Sequence, residues 1–429
     1  MKIALLGYGV EGESAYKYYS RTQPGAQFVI YDNAESPKYE VPDGTEFIGS
    51  VNDFHNIDAD IVIKTPAIPP ENVSSRGKVT SVTREFFEKC PAPIIGVTGT
   101  KGKGTTCTLI KEMLSAANID VHLVGNIGSP ALDILADLNE NSIVVYEMSS
   151  FQLWDIDKSP ETAVVLLVEP DHLNVHSGMK DYVDSKSNIA KYQKPSDNII
   201  YHPTNPNSLQ IAQLSLGHKQ RYFTPEGAYI KAQQIIIADQ VVCSTDEVGL
   251  LGVHNLENVC AAVTAAWHYT HDISAMAKAI SGFEGLPHHT ERVRELSGVT
   301  FYDDSFSSSP AATVAAIRSF EQPEIVIVGG SERNANFADL VKVITKQKNI
   351  KKVILIGETA PSISKLLEGV GETRFEVDQT KDFAQIVSKA REFAEPGDVV
   401  LLSPGCPSFD MFDNFYQRGD KFKEFVAKL

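Results

Sequence analysis

Short runs of apolar, often β-branched residues alternate along the chain with longer stretches whose apolar residues recur at helical spacing. A two-residue period giving way to a 3.6-residue period is the pattern of strand–helix–strand units. Over residues 1–90 it predicts strands at Lys2–Leu6, Phe28–Tyr31 and Ile61–Lys64, with Pro66, Pro69 and Pro70 ending the unit. Over 91–285 it predicts strands at Ile94–Val97, Val121–Val124, Ile143–Tyr146, Ala163–Leu167 and Asn198–Tyr201, with helices after Lys103, Pro130 and Met179. A β-rich stretch from Arg221 to Cys243 and a helical region from Asn255 to Ile280 follow, and Gly282–Pro287 reads as a linker. Over 286–429 the alternation returns. Strands fit Thr300–Asp303, Ile325–Val328, Val353–Ile356 and Val399–Leu402, and helices fit Ala311–Phe320, Phe337–Lys346, Ala360–Leu367 and Phe383–Phe393. Three alternating stretches predict an α/β protein of three domains with largely parallel sheets.

A length of 429 residues agrees with that number of domains. The net charge of −16 argues against a nucleic-acid or anionic-membrane surface, so an anionic ligand must be held by local lysines, metal ions and helix ends. Five scattered cysteines (Cys90, Cys107, Cys243, Cys260, Cys406) with no CxxC pair suit reduced thiols in a cytoplasm. No apolar run reaches transmembrane length, and Met1-Lys-Ile-Ala-Leu-Leu reads as a strand start rather than a leader. No internal repeat or low-complexity tract is evident.

The densest chemical signal is Gly96-Val-Thr-Gly99-Thr100-Lys101-Gly102-Lys103-Gly104-Thr105-Thr106. An apolar strand runs into a glycine-rich loop that carries a lysine and opens a helix. Such a loop closes backbone N–H groups on phosphate oxygens, and its lysine reaches the terminal phosphates. Gly104 follows Lys103 where a hydroxyl residue is usual, so the metal-binding hydroxyl falls to Thr105. Gly7-Tyr-Gly9-Val10-Glu11-Gly12, with Asp32 ending the second strand, has the form of a dinucleotide fingerprint. Alone it is weak, and it suits any nucleotide diphosphate. A nicotinamide dehydrogenase would need an acid/base nearby, and the first unit offers only His55.

Glu147 closes an apolar strand, where a carboxylate beside a phosphate loop is a natural Mg²⁺ ligand; Ser149 and Gln152 follow it. Glu169, Asp171, His172, Asn174 and His176 gather two histidines and two acids after another strand and form a candidate metal cluster. Lys186, on the next helix, reads as a surface lysine. His254 and Asn255 read as a helix cap, with Asn258 one turn in. In the last stretch Asp304-Ser305…Ser308, Gly329-Gly330…Arg333 and Ser403…Ser408 each follow a strand, where open α/β sheets bind ligands, and suggest a second substrate site.

In their order along the chain these motifs resemble the Mur ligases of peptidoglycan synthesis, and within them the D-glutamate-adding type. The resemblance covers essentially the whole chain. It rests on Thr98-Gly-Thr-Lys-Gly-Lys103, Gly125-Asn126-Ile-Gly128, Glu147-Met-Ser-Ser-Phe-Gln152, Asp171-His172, Gly285-Leu-Pro-His288 and Leu402-Ser-Pro…Ser408-Phe-Asp…Asn414-Phe415…Arg418-Gly419. It implies a Rossmann-like domain over 1–90, a P-loop ATPase-like domain over 91–285 and a Rossmann-like domain over 286–429. It implies a cytoplasmic monomer that ligates glutamate to UDP-N-acetylmuramoyl-L-alanine with ATP and two Mg²⁺ ions. Gly7, Gly9, Val10, Glu11 and Gly12 would cradle the UDP diphosphate, with Asp32 near the uracil and Thr65 helping. Gly99–Thr106, with Lys103 at the β- and γ-phosphates, would hold ATP. Thr105 and Glu147 would hold one Mg²⁺, and His172 with a carbamylated Lys186 the other. Asn126, Ser149 and Gln152 would hold the muramoyl-alanine end, and Asn255 and Asn258 would face the adenine. His289 and Asp304 fall among the ATP contacts. Ser308, Arg333, Ser408 and Phe415 would recognise glutamate.

The chain departs from the family pattern at Thr65-Pro-Ala, usually Ser-Pro-Gly, at His289, usually arginine, at Phe306, commonly lysine, and at Arg333, commonly lysine. Arginine can still pair with a carboxylate bidentately. These departures keep open a ligase using L-glutamate and a binding homologue without catalysis. The loop also resembles that of folylpolyglutamate synthases, but the fingerprint in 1–90 argues against that reading.

Overall fold

A computed structural model describes all residues from Met1 to Leu429 except Asn174 and Asn334. It divides into two compact units, residues 1–249 with 253–283, and residues 250–252 with 284–429.

The first unit is built on two large parallel sheets, beside a parallel pair of short strands, Phe54–Ile57 and Val73–Ser75. The strands β1 (Lys2–Leu6), β2 (Gln27–Tyr31), β3 (Glu46–Ile48), β4 (Ile61–Lys64) and β5 (Lys78–Ser81) pair in the order β3-β2-β1-β4-β5. This is the strand order of a doubly wound sheet, with its topological switch between β1 and β4. The next strands are β6 (Ile94–Thr98), β7 (Val121–Gly125), β8 (Ile143–Glu147), β9 (Thr162–Val165), β10 (Asn198–Tyr201) and β11 (His218–Arg221), in the order β11-β10-β9-β6-β8-β7. All of these pairs are parallel. One hydrophobic cluster runs through both sheets, from Ile3, Leu5 and Ile30 through Phe86 and Phe87 to Val144 and Tyr146. Phe86 meets Tyr146 edge-on at 5.5 Å, a favourable aromatic geometry that helps fix one sheet against the other.

The β-rich stretch is a small antiparallel sheet of β12 (Tyr229–Lys231), β13 (Gln234–Ile237) and β14 (Gln240–Ser244). Its two hairpins turn through Ala232-Gln233 and Ala238-Asp239, all at positive φ, the backbone a type I′ turn requires. The expected helix after Pro130 is only a 3-10 turn, Ala131–Ile134. Beyond it, side chains compete with the helix: the Asn141 N–H donates to Asn139 Oδ1 and the Asn139 N–H to Ser142 Oγ. The helical region from Asn255 to Ile280 is two helices, Val253–Ala266 and Ile273–Gly282, the second capped by Asp272, which accepts the Ala275 N–H. The helix begins at Val253, so His254 and Asn255 lie in its first turn and do not cap it.

The second unit has one six-stranded sheet of β15 (Glu291–Leu296), β16 (Val299–Asp303), β17 (Glu324–Gly329), β18 (Ile350–Ile356), β19 (Phe375–Val377) and β20 (Val399–Leu402). The order is β15-β16-β20-β17-β18-β19, and only the β15–β16 pair is antiparallel. Alternate residues feed opposite faces, as the pleat demands. Val326, Val328, Val353 and Leu355 enter one core, and Ile325, Ile327, Ile354 and Ile356 the other. Both faces are covered, which is why these strands read as unbroken apolar runs. Among the described residues no helix is long and apolar enough to cross a membrane.

Candidate active site

The phosphate-type loop leaves β6 at the centre of the second sheet and opens the helix Lys103–Ala116. Gly102 caps that helix at φ 83°, and a β-carbon there would lie 2.2 Å from Asn258 Oδ1. Glycine therefore serves twice, for the left-handed backbone and for the close approach of the amide. Asn258 Nδ2 donates to Asn255 Oδ1 at 3.2 Å, so Asn258 stands against the loop and Asn255 is bonded to it. Lys103 Nζ folds back onto the carbonyls of Gly99 and Thr100, at 3.2 and 3.0 Å.

Lys186 is not on the surface: it is 1 % exposed. Its Nζ donates to Thr98 Oγ1 at 3.2 Å and to the Gly99 carbonyl at 3.0 Å, and lies 4.7 Å over the Tyr182 ring. Burial, then the charge of Lys103, pushes its pKa well down, which favours the neutral amine. Glu147 ends β8 beside Val97 and is buried. Its Oε1 accepts from Asn126 Nδ2 at 3.2 Å, and its Oε2 has no hydrogen-bond partner. Burial holds this carboxyl above the usual range although Lys103 and Lys186 pull the other way. The Thr106 hydroxyl is also buried without a partner. The carboxylate oxygen left open beside a phosphate loop fits a hard divalent cation, which takes oxygen donors.

The acid–histidine segment divides. His172, at φ 53°, is half exposed beside Asp171, 3.5 Å away. Burial chiefly lowers its pKa, helped by Lys103 and Lys186. His176 is buried, held by Ser150 Oγ at 2.9 Å and Asp181 Oδ2 at 3.2 Å, and stacks on Phe151. Glu169 turns away and accepts from Asn205. Asn174 lies outside the described residues. The expected metal cluster therefore does not form from these side chains among the described residues. The aromatic packing of Phe151, Trp154 and Tyr182 takes His176 into the core and leaves His172 facing out.

At the switch point of the first sheet, Gly12 packs so closely that a β-carbon would lie 2.1 Å from the Gly7 carbonyl oxygen. Asp32 accepts the N–H groups of Tyr8 at 2.6 Å and Ala34 at 2.9 Å, so it fixes the loop. Thr65, at the end of the neighbouring β4, donates to the Leu6 carbonyl at 3.1 Å. Glu11 turns toward the second sheet, and its Oε1 accepts from Gln152 Nε2 at 3.0 Å. Burial pushes its carboxyl up to about 7. Gln152 Oε1 in turn accepts from the backbone N–H and hydroxyl of Ser149, at 2.9 and 3.2 Å.

In the second unit the ends of β16, β20 and β17 converge. Asp304 is buried; its Oδ2 accepts from Ser403 Oγ at 2.7 Å and its Oδ1 from Thr290. Burial raises it to about 6 in spite of these donors. His289 stacks on Phe306 with ring centroids 3.8 Å apart, so two of the departures from the family pattern face each other. Phe306 meets Phe415 edge-on. Arg418 is buried and ties the loops together, donating to Ser305 Oγ, the Ser305 carbonyl and the Cys406 carbonyl. Ser408 is buried, Ser308 is exposed, and Arg333 lies over the exposed Phe409 ring at 5.3 Å. His288, Glu291 and Asp303 bring ligand atoms within 4.8 Å of one another. Lys423, however, donates to both oxygens of Glu291, so the group is an ion-paired cluster.

Residues 97–266 match the Mur ligase middle domain, and residues 288–406 match the Mur ligase, glutamate ligase domain. A UDP-N-acetylmuramoylalanine–D-glutamate ligase of Acetivibrio thermocellus is 35 % identical over 100 % of this chain and 96 % of its own length. The chain belongs to the Mur ligase family. A ligase of the same name from Symbiobacterium thermophilum is 37 % identical over 87 % of this chain and 85 % of its own. Among solved structures, a MurF ligase of Thermotoga maritima in complex with ADP aligns with a TM-score of 0.61 at 17 % identity, covering 99 % of this chain and 95 % of that one. MurC of the same organism aligns at 0.61 and 15 %, covering 100 % and 99 %. These two share the fold, the three-domain α/β architecture of Mur ligases.

Sequence reasoning about this Mur ligase missed several residues that build the site. The buried Lys64, 3.3 Å from Asp155, left no signal beyond a charge at the end of an apolar strand. The His288–Asp303 pair, 2.7 Å apart, joins the segment before β15 to the end of β16. The burial of Lys186 did have a signal: on its helix it falls in line with Tyr182, Val183, Ile189 and Ala190, all buried.

Proposed function

We propose that this Mur ligase joins D-glutamate to UDP-N-acetylmuramoyl-L-alanine at the expense of ATP, a cytoplasmic step of peptidoglycan synthesis. The observation that carries the reading is the surroundings of the phosphate loop. A lysine folded over the loop, a buried lysine behind it and a half-satisfied buried carboxylate beside it form a site for a triphosphate and a divalent cation. The full-length relation to a ligase named for D-glutamate supports the identity of the acceptor.

In this reading the L-alanine carboxylate of the sugar nucleotide attacks the γ-phosphorus of ATP, and ADP leaves. The glutamate amine then attacks the carbonyl carbon of the acyl phosphate; phosphate departs and an amide bond remains. Lys103 leaves the carbonyls of Gly99 and Thr100 for the β- and γ-phosphates. Thr105 and Glu147 would hold one Mg²⁺, and His172 with a carbamylated Lys186 the other. Cations bound there would spread the negative charge of the transferring phosphoryl group. Asn255 and Asn258 face the adenine. Gly7, Gly9, Val10 and Gly12 take the diphosphate, with Asp32 and Thr65 shaping the loop. Asn126, Ser149 and Gln152 hold the muramoyl-alanine end, and Ser308, Arg333, Ser408 and Phe415 receive glutamate. The protein chiefly positions anionic reactants that repel one another in water. Domains at 1–90, 91–285 and 286–429 correspond to the sugar nucleotide, ATP and glutamate.

Phosphate release tests this. It is expected only when ATP, UDP-N-acetylmuramoyl-L-alanine and D-glutamate are all present. Release with L-glutamate in place of D-glutamate overturns the stereochemical assignment, and none with either enantiomer overturns the ligase reading.

A further inference from the structure

Glu11 is an unexpected residue for its position. It is the second residue of the helix Val10–Thr22, at the end that presents N–H groups to an anion, where a carboxylate competes with a diphosphate for the same positive field. Its side chain instead crosses to the second sheet. There Oε1 accepts from Gln152 Nε2 at 3.0 Å, while Oε2 is buried and without a partner. Lys64 Nζ pairs with Asp155 Oδ2 at 3.3 Å, and Asp155 Oδ1 accepts from Ser81 Oγ at 3.0 Å; the charge of Lys64 also reaches Glu11, though Gln152 is the residue that hydrogen-bonds it.

Ser149 and Gln152 exchange bonds in a capping box that closes the short helix Ser150–Leu153. That motif accounts for the two Ser149–Gln152 bonds donated by backbone N–H groups. It does not account for the bond from Gln152 to Glu11, 141 residues away in sequence. An amide has one accepting and one donating end. Turned end for end, Gln152 would set its oxygen against the Glu11 carboxylate and its NH₂ against the Ser149 N–H. The Ser149 N–H and Glu11 hold the amide in this orientation from its two ends, and Glu11 is the one partner of its NH₂ that lies outside the capping box. The amide in turn commits the Ser149 hydroxyl, whose proton goes to Gln152 Oε1 and whose oxygen accepts the Gln152 N–H at 3.2 Å.

We propose that Glu11 is a positioning residue of the sugar-nucleotide site, which touches no substrate and acts by holding Gln152, and through it Ser149, ready for the muramoyl-alanine end. The diphosphate loop and the pocket for the reacting carboxylate are thereby tied together by one partly buried hydrogen bond. The inference rests on the functional reading above, in which Ser149 and Gln152 hold the sugar nucleotide.

Steady-state phosphate release by native, E11A, E11Q and E11M enzyme tests it. E11A is expected to raise the KM for UDP-N-acetylmuramoyl-L-alanine about tenfold, the equivalent of one hydrogen bond. The KM for ATP should stay within about twofold, since one partly buried bond on the sugar-nucleotide side is all that is lost. E11Q keeps an accepting oxygen for Gln152 and is expected to restore the sugar-nucleotide KM, whereas E11M, of similar size but without an acceptor, is not. If E11A fails to fold, the contrast of E11Q with E11M carries the test. An unchanged sugar-nucleotide KM in E11A or E11M overturns the inference, as does a parallel rise in both KM values with no rescue by E11Q. No turnover by the native enzyme overturns the functional reading and this inference with it, whereas native turnover with unaffected variants overturns this inference alone.

Discussion

Replacing Glu147 by glutamine separates what this side chain does for folding from what it does for the reaction. Glu147 is 4 % exposed, with one oxygen bonded to Asn126 and the other without a partner. Its carboxyl is held above the usual range by burial, so desolvation outweighs the attraction of Lys103 and Lys186. A buried polar atom left without a partner costs about 1–3 kcal/mol, and the glutamine NH₂ that takes the place of the open oxygen inherits that cost, so what the substitution removes is the buried charge. The amide keeps the Asn126 contact through its own oxygen and discards the charge. In metal-free buffer E147Q is therefore expected to be more stable than the native chain by about 1 kcal/mol, roughly 2 °C in melting temperature for a unit of this size. Mg²⁺ with a non-hydrolysable ATP analogue should reverse the order. Ligand at a hundredfold over its Kd stabilises a fold by about 2.7 kcal/mol, and the variant, lacking the anionic oxygen, should gain only a small part of it. Phosphate release should fall by at least about a hundredfold, as when an electrostatic contact to the transition state is removed. Thermal melts with and without Mg²⁺ and nucleotide supply the readout. An equal Mg²⁺ response in the two proteins would refute Glu147 as a metal ligand. A lower metal-free melting temperature in E147Q would refute the argument from the buried charge, because it would mean that the lysines outweigh burial.

Lys103→Ala should lower kcat about 10²–10³-fold in the phosphate-release assay with little change in melting temperature, because Lys103 is only partly buried and the Gly99 carbonyl it leaves keeps Lys186 as a donor. Native protein equilibrated with ¹³C-bicarbonate should show a carbamate carbonyl resonance in the NMR spectrum that is missing from Lys186→Ala; burial and Lys103 shift that amine toward the neutral form, which is the one that reacts with CO₂, and no such resonance in the native protein would remove the carbamate role. Glu324, fully buried with Oε2 unpartnered, has its carboxyl pushed up to about 8 from an ordinary 4.5. The folded chain therefore holds a proton that the unfolded chain releases, and stability should fall as pH rises from about 4.5 to about 8. Glu324→Gln should remove that slope. Its advantage in denaturant unfolding should grow from about pH 4.5 to about pH 8, level off above that, and reach a few kcal/mol at most, since stability changes by about 1.4 kcal/mol per pH unit while one proton separates the two states. An advantage that does not change with pH counts against a buried neutral carboxyl.

The strands legible in the sequence are those buried on both faces. Ile325–Val328 and Val399–Leu402 are central and apolar throughout, and the apolar pattern places their ends within a residue or two. The strands that left no pattern are short or polar edges. His218–Arg221 carries almost no apolar residue, and Glu46–Ile48 spans only three positions. Pairing with a neighbour makes these segments strands, and that pairing is a property of the sheet rather than of the segment. The phosphate loop was legible because its chemistry lies in consecutive residues. Glu147 was legible because a strand end fixes where a side chain projects.

The remaining parts of the site depend on contacts between elements distant in sequence, and there the local pattern misleads in a consistent direction. Lys186 reads as a surface residue when its charge is given more weight than its place in line with Tyr182, Val183, Ile189 and Ala190. Glu11 reads as a diphosphate contact because the loop around it is one, while its partner lies 141 residues on. In both cases an ionisable group sits where the helical period puts core, or faces inward from a loop that should face an anion. Burying such a group costs several kcal/mol unless it is paired. A charge that breaks an otherwise regular apolar face is thus a stronger sign of a site than a cluster of charges after a strand. The segment from Glu169 to His176 has the greater density of metal-type ligands, yet it sends His176 into an aromatic core and Glu169 toward Asn205, while the lone Lys186 lies against the phosphate loop.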